Sequence, residues 1–148
     1  MINSSTAQTL LDSVWPNAHL DILDANFALL KREWVFGEFA AALASNLKAL
    51  HLDKWRKDVF DCDKFSFAAR VMMSVLHAEH CTMEVGAAFG IVNYKPDWAN
   101  GGGHSINFGI FRSQYNPNAF VVRCFEPQTG KEFIFSAAEN ASVWEVIL

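Results

Sequence analysis

Three residues of this chain, Cys62, His104 and Glu126, are of the types that together activate a sulfur nucleophile. A thiol attacks as its thiolate, and a helix N-terminus or a neighbouring imidazolium lowers its pKa. A histidine can take the proton and hand it to a leaving group. A carboxylate behind the imidazole fixes the tautomer and stabilises the charged ring. Each residue also has an ordinary reading: a free cysteine is often a small buried hydrophobe, and a histidine opening a strand is often structural. Cys81 and Cys124, set beside apolar residues, are read in that ordinary way.

The elements around the three residues bear on whether they meet. A helix is expected from Asp61 or Cys62 to about His80, with Phe65, Ala69, Met72 and Leu76 on one stripe headed by Cys62 and Asp61 as N-cap. Strands are expected at Val85–Tyr94, His104–Arg112, Ala119–Glu126 and Lys131–Ser136, and a last one at Ser142–Leu148. If the hairpin turns near Tyr115 or Asn116, His104 lies opposite Glu126 or its immediate neighbour, with Cβ atoms about 5 Å apart. His104 shares a face with Ile106, Phe108 and Ile110, and Glu126 shares one with Phe120, Val122 and Cys124. That face is expected to pack on the stripe of the Cys62 helix. Asp61 and Asp63 oppose the arrangement, because their charges raise the Cys62 pKa unless something neutralises them.

Residues 1–20 read as polar and mixed, broken by Pro16, and Asp24–Leu50 reads as two helices separated at Gly37. Helices followed by an antiparallel β-meander make an α+β fold in one domain, 1–148. Residues 1–50 form its helical N-terminal part and 52–136 the core that carries the site. The hydrophobic fraction of 51% and the aromatic fraction of 14% argue for a folded chain. A net charge of −4 without a Lys/Arg stripe speaks against nucleic-acid binding. Three cysteines match no zinc or disulfide framework and suit a reducing compartment. The opening MINSSTAQTLLDSVW lacks the basic start and apolar run of a signal peptide, and no stretch is long and apolar enough to span a bilayer. A cytoplasmic location follows, in the host cytoplasm if a phage encodes the chain.

Four blocks, FDCDKFSFAA (60–69), FGIV (89–92), GGHSINFGIF (102–111) and FEPQTGKEF (125–133), resemble in order and spacing a family of papain-like cysteine protease domains. That family includes the C-terminal domain of the Marasmius oreades agglutinin together with uncharacterised phage and bacterial relatives. The resemblance implies a papain-like α+β fold with Cys62 as nucleophile, His104 as base and Glu126 as orienting acid. It makes Gln128 a candidate for contact with the site or substrate. It also raises calcium, with Asp58, Asp61 and Asp63 as possible oxygen ligands, although the chemistry itself requires no cofactor. Two departures stand out: Lys64 replaces a second acid of the usual pattern, and Arg56 stands where papain has its oxyanion-hole glutamine.

Trp98 is a candidate substrate wall, and Gly101–Gly103 a hinge beside His104. His77, His80 and Cys81 have helical spacing suited to zinc but no matching second pair. The expected function is a cysteine hydrolase acting on amide bonds, a peptidase with a peptide or protein substrate. The alternative is a non-catalytic papain-like binding protein of phage or mobile-element origin that captures a host factor.

Overall fold

The structure is a computed structural model that describes residues 1–57, 59–82, 85–98 and 102–148. The chain opens with β1 (Ile2–Asn3), α1 (Ser4–Val14), β2 (His19–Asp21) and β3 (Asn26–Ala28). A continuous helical stretch follows: α2 (Arg32–Trp34), a π-helical turn (Val35–Phe39) and α3 (Ala40–Ala49). After α4 (Cys62–His80) come β4 (Gly86–Ala87), β5 (Phe89–Tyr94), β6 (His104–Arg112), β7 (Phe120–Glu126) and β8 (Lys131–Phe133). The chain closes with α5 (Ala137–Ala141) and β9 (Glu145–Ile147).

These strands make a three-stranded sheet, β1-β3-β4, and a six-stranded sheet, β2-β9-β5-β6-β7-β8. The expected α+β papain-like arrangement with a β-meander is therefore corrected to a mixed α/β fold built on multi-stranded sheets. The last strand, β9, lies between β2 and β5, and β2 runs parallel to it. The small sheet also holds a parallel pair, β3 with β4. Parallel pairs need long crossovers, which a meander lacks.

β6 sits near the middle of the large sheet, and His104–Phe111 are all buried. Its two faces feed two cores. Ile106, Phe108 and Ile110 pack with Leu11 and Trp15 from the α1 side. Phe111, with Phe89 and Phe125, packs against Phe39, Leu43, Phe65 and Met73 from α3, α4 and the π-helical turn. The helix headed by Cys62 thus packs on the face opposite to the one expected. Gly90 is required where the strands close up: a Cβ there would fall on the Ile147 carbonyl oxygen and 2.5 Å from the Phe108 ring.

Local structure departs from expectation in the N-terminal third. Residues 26–28 are strand, because pairing with β1 and β4 overrides the helix-like spacing of Phe27, Leu30 and Trp34. Gly37 lies inside the π-helical turn instead of separating two helices. α1 is capped by Asn3, whose side chain accepts from the Thr6 N–H at 2.8 Å, and it buries Ala7 and Leu11. α5 carries a capping box between Ser136 and Glu139. No helix among the described residues is long and apolar enough to cross a membrane.

Candidate functional site

Cys62 opens α4 and is half-buried. A polar chain holds this helix start over the sheet. Asn107, fully buried on β6, donates from Nδ2 to the carbonyls of Ser66 at 3.0 Å and Gly90 at 3.1 Å. Ser66 in turn donates from Oγ to the carbonyl of Cys62 at 3.1 Å. Buried amides are found where they are hydrogen-bonded, so Asn107 fixes the first turn of α4 against β6 and β5. The start of β6, at His104 and Ser105, thereby lies within reach of the Cys62 thiol.

The β6–β7 ladder pairs Asn107 with Phe125 and Arg112 with Phe120. Continued, it sets Ile106 abreast of Glu126, so His104 and Glu126 are diagonal neighbours and not directly opposite. Diagonal partners share a face and remain within reach of long side chains. Here Nε2 of His104 donates to Oε2 of Glu126 at 3.0 Å. The other oxygen, Oε1, accepts from the Gln128 N–H at 3.1 Å, so the carboxylate is held at both ends. With Nε2 committed, Nδ1 is left for the thiol.

His104 is 8% exposed, its ring edge-on to Tyr94 and to Trp98 with centroids 5.6 Å apart in each case. Burial alone pulls its pKa down, but hydrogen bonds to Cys62 and Glu126 outweigh burial and raise it to about 9. The Cys62 thiol moves the other way. Its hydrogen bond to His104 lowers it, burial raises it, and the Ser105 backbone adds a further lowering contact. Asp61 raises it, the weakest of these influences. Cys124, by contrast, is pushed well above the ordinary thiol range by burial, as expected of an inert cysteine.

Asp61 and Asp63 are held by Lys64, whose Nζ lies 2.7 Å from Oδ1 of Asp61 and 3.2 Å from Oδ1 of Asp63. Asp61 precedes the helix in an extended conformation but makes no side-chain cap bond, since its carboxylate faces Lys64. An ammonium thus already supplies the countercharge a calcium ion would bring, and these carboxylates do not fit a cation site. Asp58 lies outside the described residues. Among the described residues no three His, Cys, Asp or Glu side chains converge on a metal position. His77 instead bonds the carbonyl of Val85 through Nε2 at 2.9 Å.

The Gln128 side chain is exposed and lines a groove of about 520 Å³ against Gly37, Ala40 and Ala44. Its contribution at the site is the backbone N–H on Glu126. Trp98 is 71% exposed and flanks His104 from the solvent side. Of the proposed hinge, Gly101 lies outside the described residues; a Cβ on Gly103 would come 2.7 Å from the Trp144 ring. Asn107 escaped the sequence reading, although a lone amide between Ile106 and Phe108 in a central strand was a visible signal, and Ser66 was read only as a departure from the family's usual Ala. Tyr94 escaped it too; its buried hydroxyl has no hydrogen-bond partner among the described residues.

No family model matches this chain, and no curated protein matches its sequence. Solved structures share its fold. A PSL1a–E64 complex superimposes with a TM-score of 0.75 at 18% identity over 99% of this chain and 50% of its own. Polyporus squamosus lectin bound to the human-type influenza-binding epitope Neu5Aca2-6Galb1-4GlcNAc gives a TM-score of 0.69 at 21% identity, over 95% of this chain and 46% of the lectin. The chain therefore spans about half the length of each.

These findings correct the sequence-based assignment. The fold is shared with the PSL1a–E64 complex and with Polyporus squamosus lectin, so the description as a papain-like cysteine or thiol protease, or as a hydrolase, gives way. What the matched lectin binds is a carbohydrate, and a peptide or protein substrate gains no support. The host-factor and phage details of the alternative reading likewise find none.

Proposed function

We propose that this chain is a ligand-binding protein that carries a nucleophilic cysteine, with Cys62 as nucleophile, His104 as its base and Glu126 as the acid that orients the ring. The observation carrying this reading is His104 itself, buried, hydrogen-bonded to a carboxylate held at both oxygens, and close enough to the Cys62 thiol to lower its pKa. In the covalent step the thiolate forms a sulfur–carbon bond with an electrophilic carbon of the ligand. The carbon–oxygen bond of an epoxide, or the π bond of a carbonyl, breaks, and the oxygen takes the proton from His104. The PSL1a–E64 complex supports this chemistry, because E64 carries an epoxide, a ring that opens on thiolates. The fold shared with a lectin supports retention of a ligand over its turnover.

A second reading, glycan binding without covalent chemistry, is favoured by the trisaccharide on the Polyporus lectin and by the exposed Trp98, on which a sugar ring could stack. Intact-mass spectrometry after incubation with E64 separates the two. Covalent capture predicts one adduct per chain on Cys62, none in Cys62→Ser, and a rate lowered about a hundredfold or more in His104→Ala. Absence of any adduct, with the trisaccharide binding equally to wild type and Cys62→Ser, supports the glycan reading instead. Repeated release of product from an amide or ester contradicts retention.

A further inference from the structure

We propose that a groove at the hairpin end of the large sheet, remote from Cys62, docks an acidic peptide segment with apolar side chains. The groove encloses about 740 Å³ and includes Arg112, the last residue of β6. His104 begins that strand, and eight residues of strand separate the two positions by roughly 26 Å.

Charge is the first argument. The groove is lined by Lys31, Arg32, Arg112 and Arg123 against Glu33 and Glu132 alone, an excess of two positive charges in a chain whose net charge is −4. Glu132 is shared, 2.5 Å from Nη2 of Arg32 and 3.5 Å from Nε of Arg123. Arg112 has no carboxylate partner among the described residues. Its Nη1 donates to the carbonyl of Pro117 at 2.7 Å, and its guanidinium stands 5.9 Å from the Phe120 ring centroid. A guanidinium has five N–H donors in a fork that matches a carboxylate, so most of the Arg112 fork is left to a ligand.

The lining decides the kind of anion. Leu30, Phe111 and Val121 line the groove, and Tyr115 and Ile134 stand 88% and 81% exposed beside them. Exposed apolar groups rimmed by charge mark interaction surfaces. An acidic saccharide satisfies the arginines but offers nothing to Leu30, Val121 and Ile134. A peptide alternating acidic and aliphatic residues satisfies both.

The test is fluorescence polarisation of a fluorescein-labelled Glu/Leu peptide on the full chain at 0.15 M salt, with the isosteric Gln/Leu peptide and heparin alongside. The Glu/Leu peptide is expected to bind about tenfold or more tighter than the Gln/Leu peptide, and the double substitution Arg112→Gln/Arg123→Gln to remove that difference. Ile134→Ser weakens both peptides. Arg56→Gln, outside the groove, changes neither, and Cys62→Ser binds as wild type, so failure here is separable from failure of the covalent reading. Equal affinity for the two peptides overturns the proposal, as does an unchanged Kd in the double variant. Heparin binding that Ile134→Ser leaves intact, without peptide binding, also overturns it and assigns the groove to acidic saccharides.

Discussion

Replacing Glu126 by Gln removes one charge while keeping the shape of the side chain that meets His104. The two side chains are 14% and 9% exposed and their contact is 3.0 Å, so solvent screens it little. A hydrogen bond to a charged group in such a setting contributes about 1.5–3 kcal/mol. At 1.36 kcal/mol per pH unit this is roughly 1–2 pH units. His104, raised to about 9 against the effect of burial by Cys62 and Glu126 together, then titrates near ~7–8 in Glu126→Gln. The sign carries over to the thiol. A weaker imidazolium supports the thiolate less, so the Cys62 pKa rises toward its ordinary value. Stability follows the same logic. The contribution of His104 is fully present below its ordinary value of 6.5 and is lost as pH rises through about 9. Glu126→Gln moves the upper end of that window downward. The assay is an NMR titration of the imidazole ring carbons, with the His104 signal assigned by its loss in His104→Gln. A midpoint that Glu126→Gln leaves in place would refute the coupling between carboxylate and ring.

Asn107→Ala removes two buried hydrogen bonds to the carbonyls of Ser66 and Gly90. It is expected to cost about 2–3 kcal/mol and ~5–10 °C in Tm, together with the reactivity advantage of Cys62; a loss under about 1 kcal/mol in calorimetry contradicts the bridging role. Gly90→Ala places a methyl group on the Ile147 carbonyl and the Phe108 ring, and is expected to cost at least ~3 kcal/mol. A denaturant midpoint near that of wild type speaks against the strand spacing described. Lys64→Ala frees the charges of Asp61 and Asp63 next to the thiol, so the alkylation midpoint of Cys62 rises. Lys64 is 39% exposed, which limits the rise to less than about one pH unit; a fall in that midpoint contradicts the countercharge role.

Cys62 at the head of a helix was legible because amphipathic spacing from Phe65 to Leu76 marks the element and a polar residue precedes it. His104 and Glu126 were legible as a pair because alternation on two strands around one turn sets approximate register. The observed ladder centres the turn on Asn116, the later of the two expected centres, which sets Ile106 opposite Glu126 and leaves His104 its diagonal neighbour. The face of β6 that meets α4 was misread for a physical reason. Both faces carry apolar residues, Ile106, Phe108 and Ile110 on one and Phe111 on the other, and a period of two cannot say which face a helix covers. The insertion of β9 between β2 and β5 left no local trace, because it is a pairing of residues distant in sequence. α1 could have been found from the Asn3 cap and the Ala7–Leu11 spacing, but its mixed polar surface hid it. Lys64 was read as a defect in an expected metal site, whereas it closes an ion pair of its own.

The account rests on a Cys62 thiolate supported by His104. The most direct test is alkylation of the folded chain by iodoacetamide across pH, with Cys62, Cys81 and Cys124 resolved by mass spectrometry. The prediction is that Cys62 reacts below the ordinary thiol value of 9.0, that its profile changes again near 9 as His104 loses its proton, and that His104→Ala returns the midpoint toward 9.0. A Cys62 that titrates at or above 9.0 in wild type, or is indifferent to His104→Ala, contradicts the account.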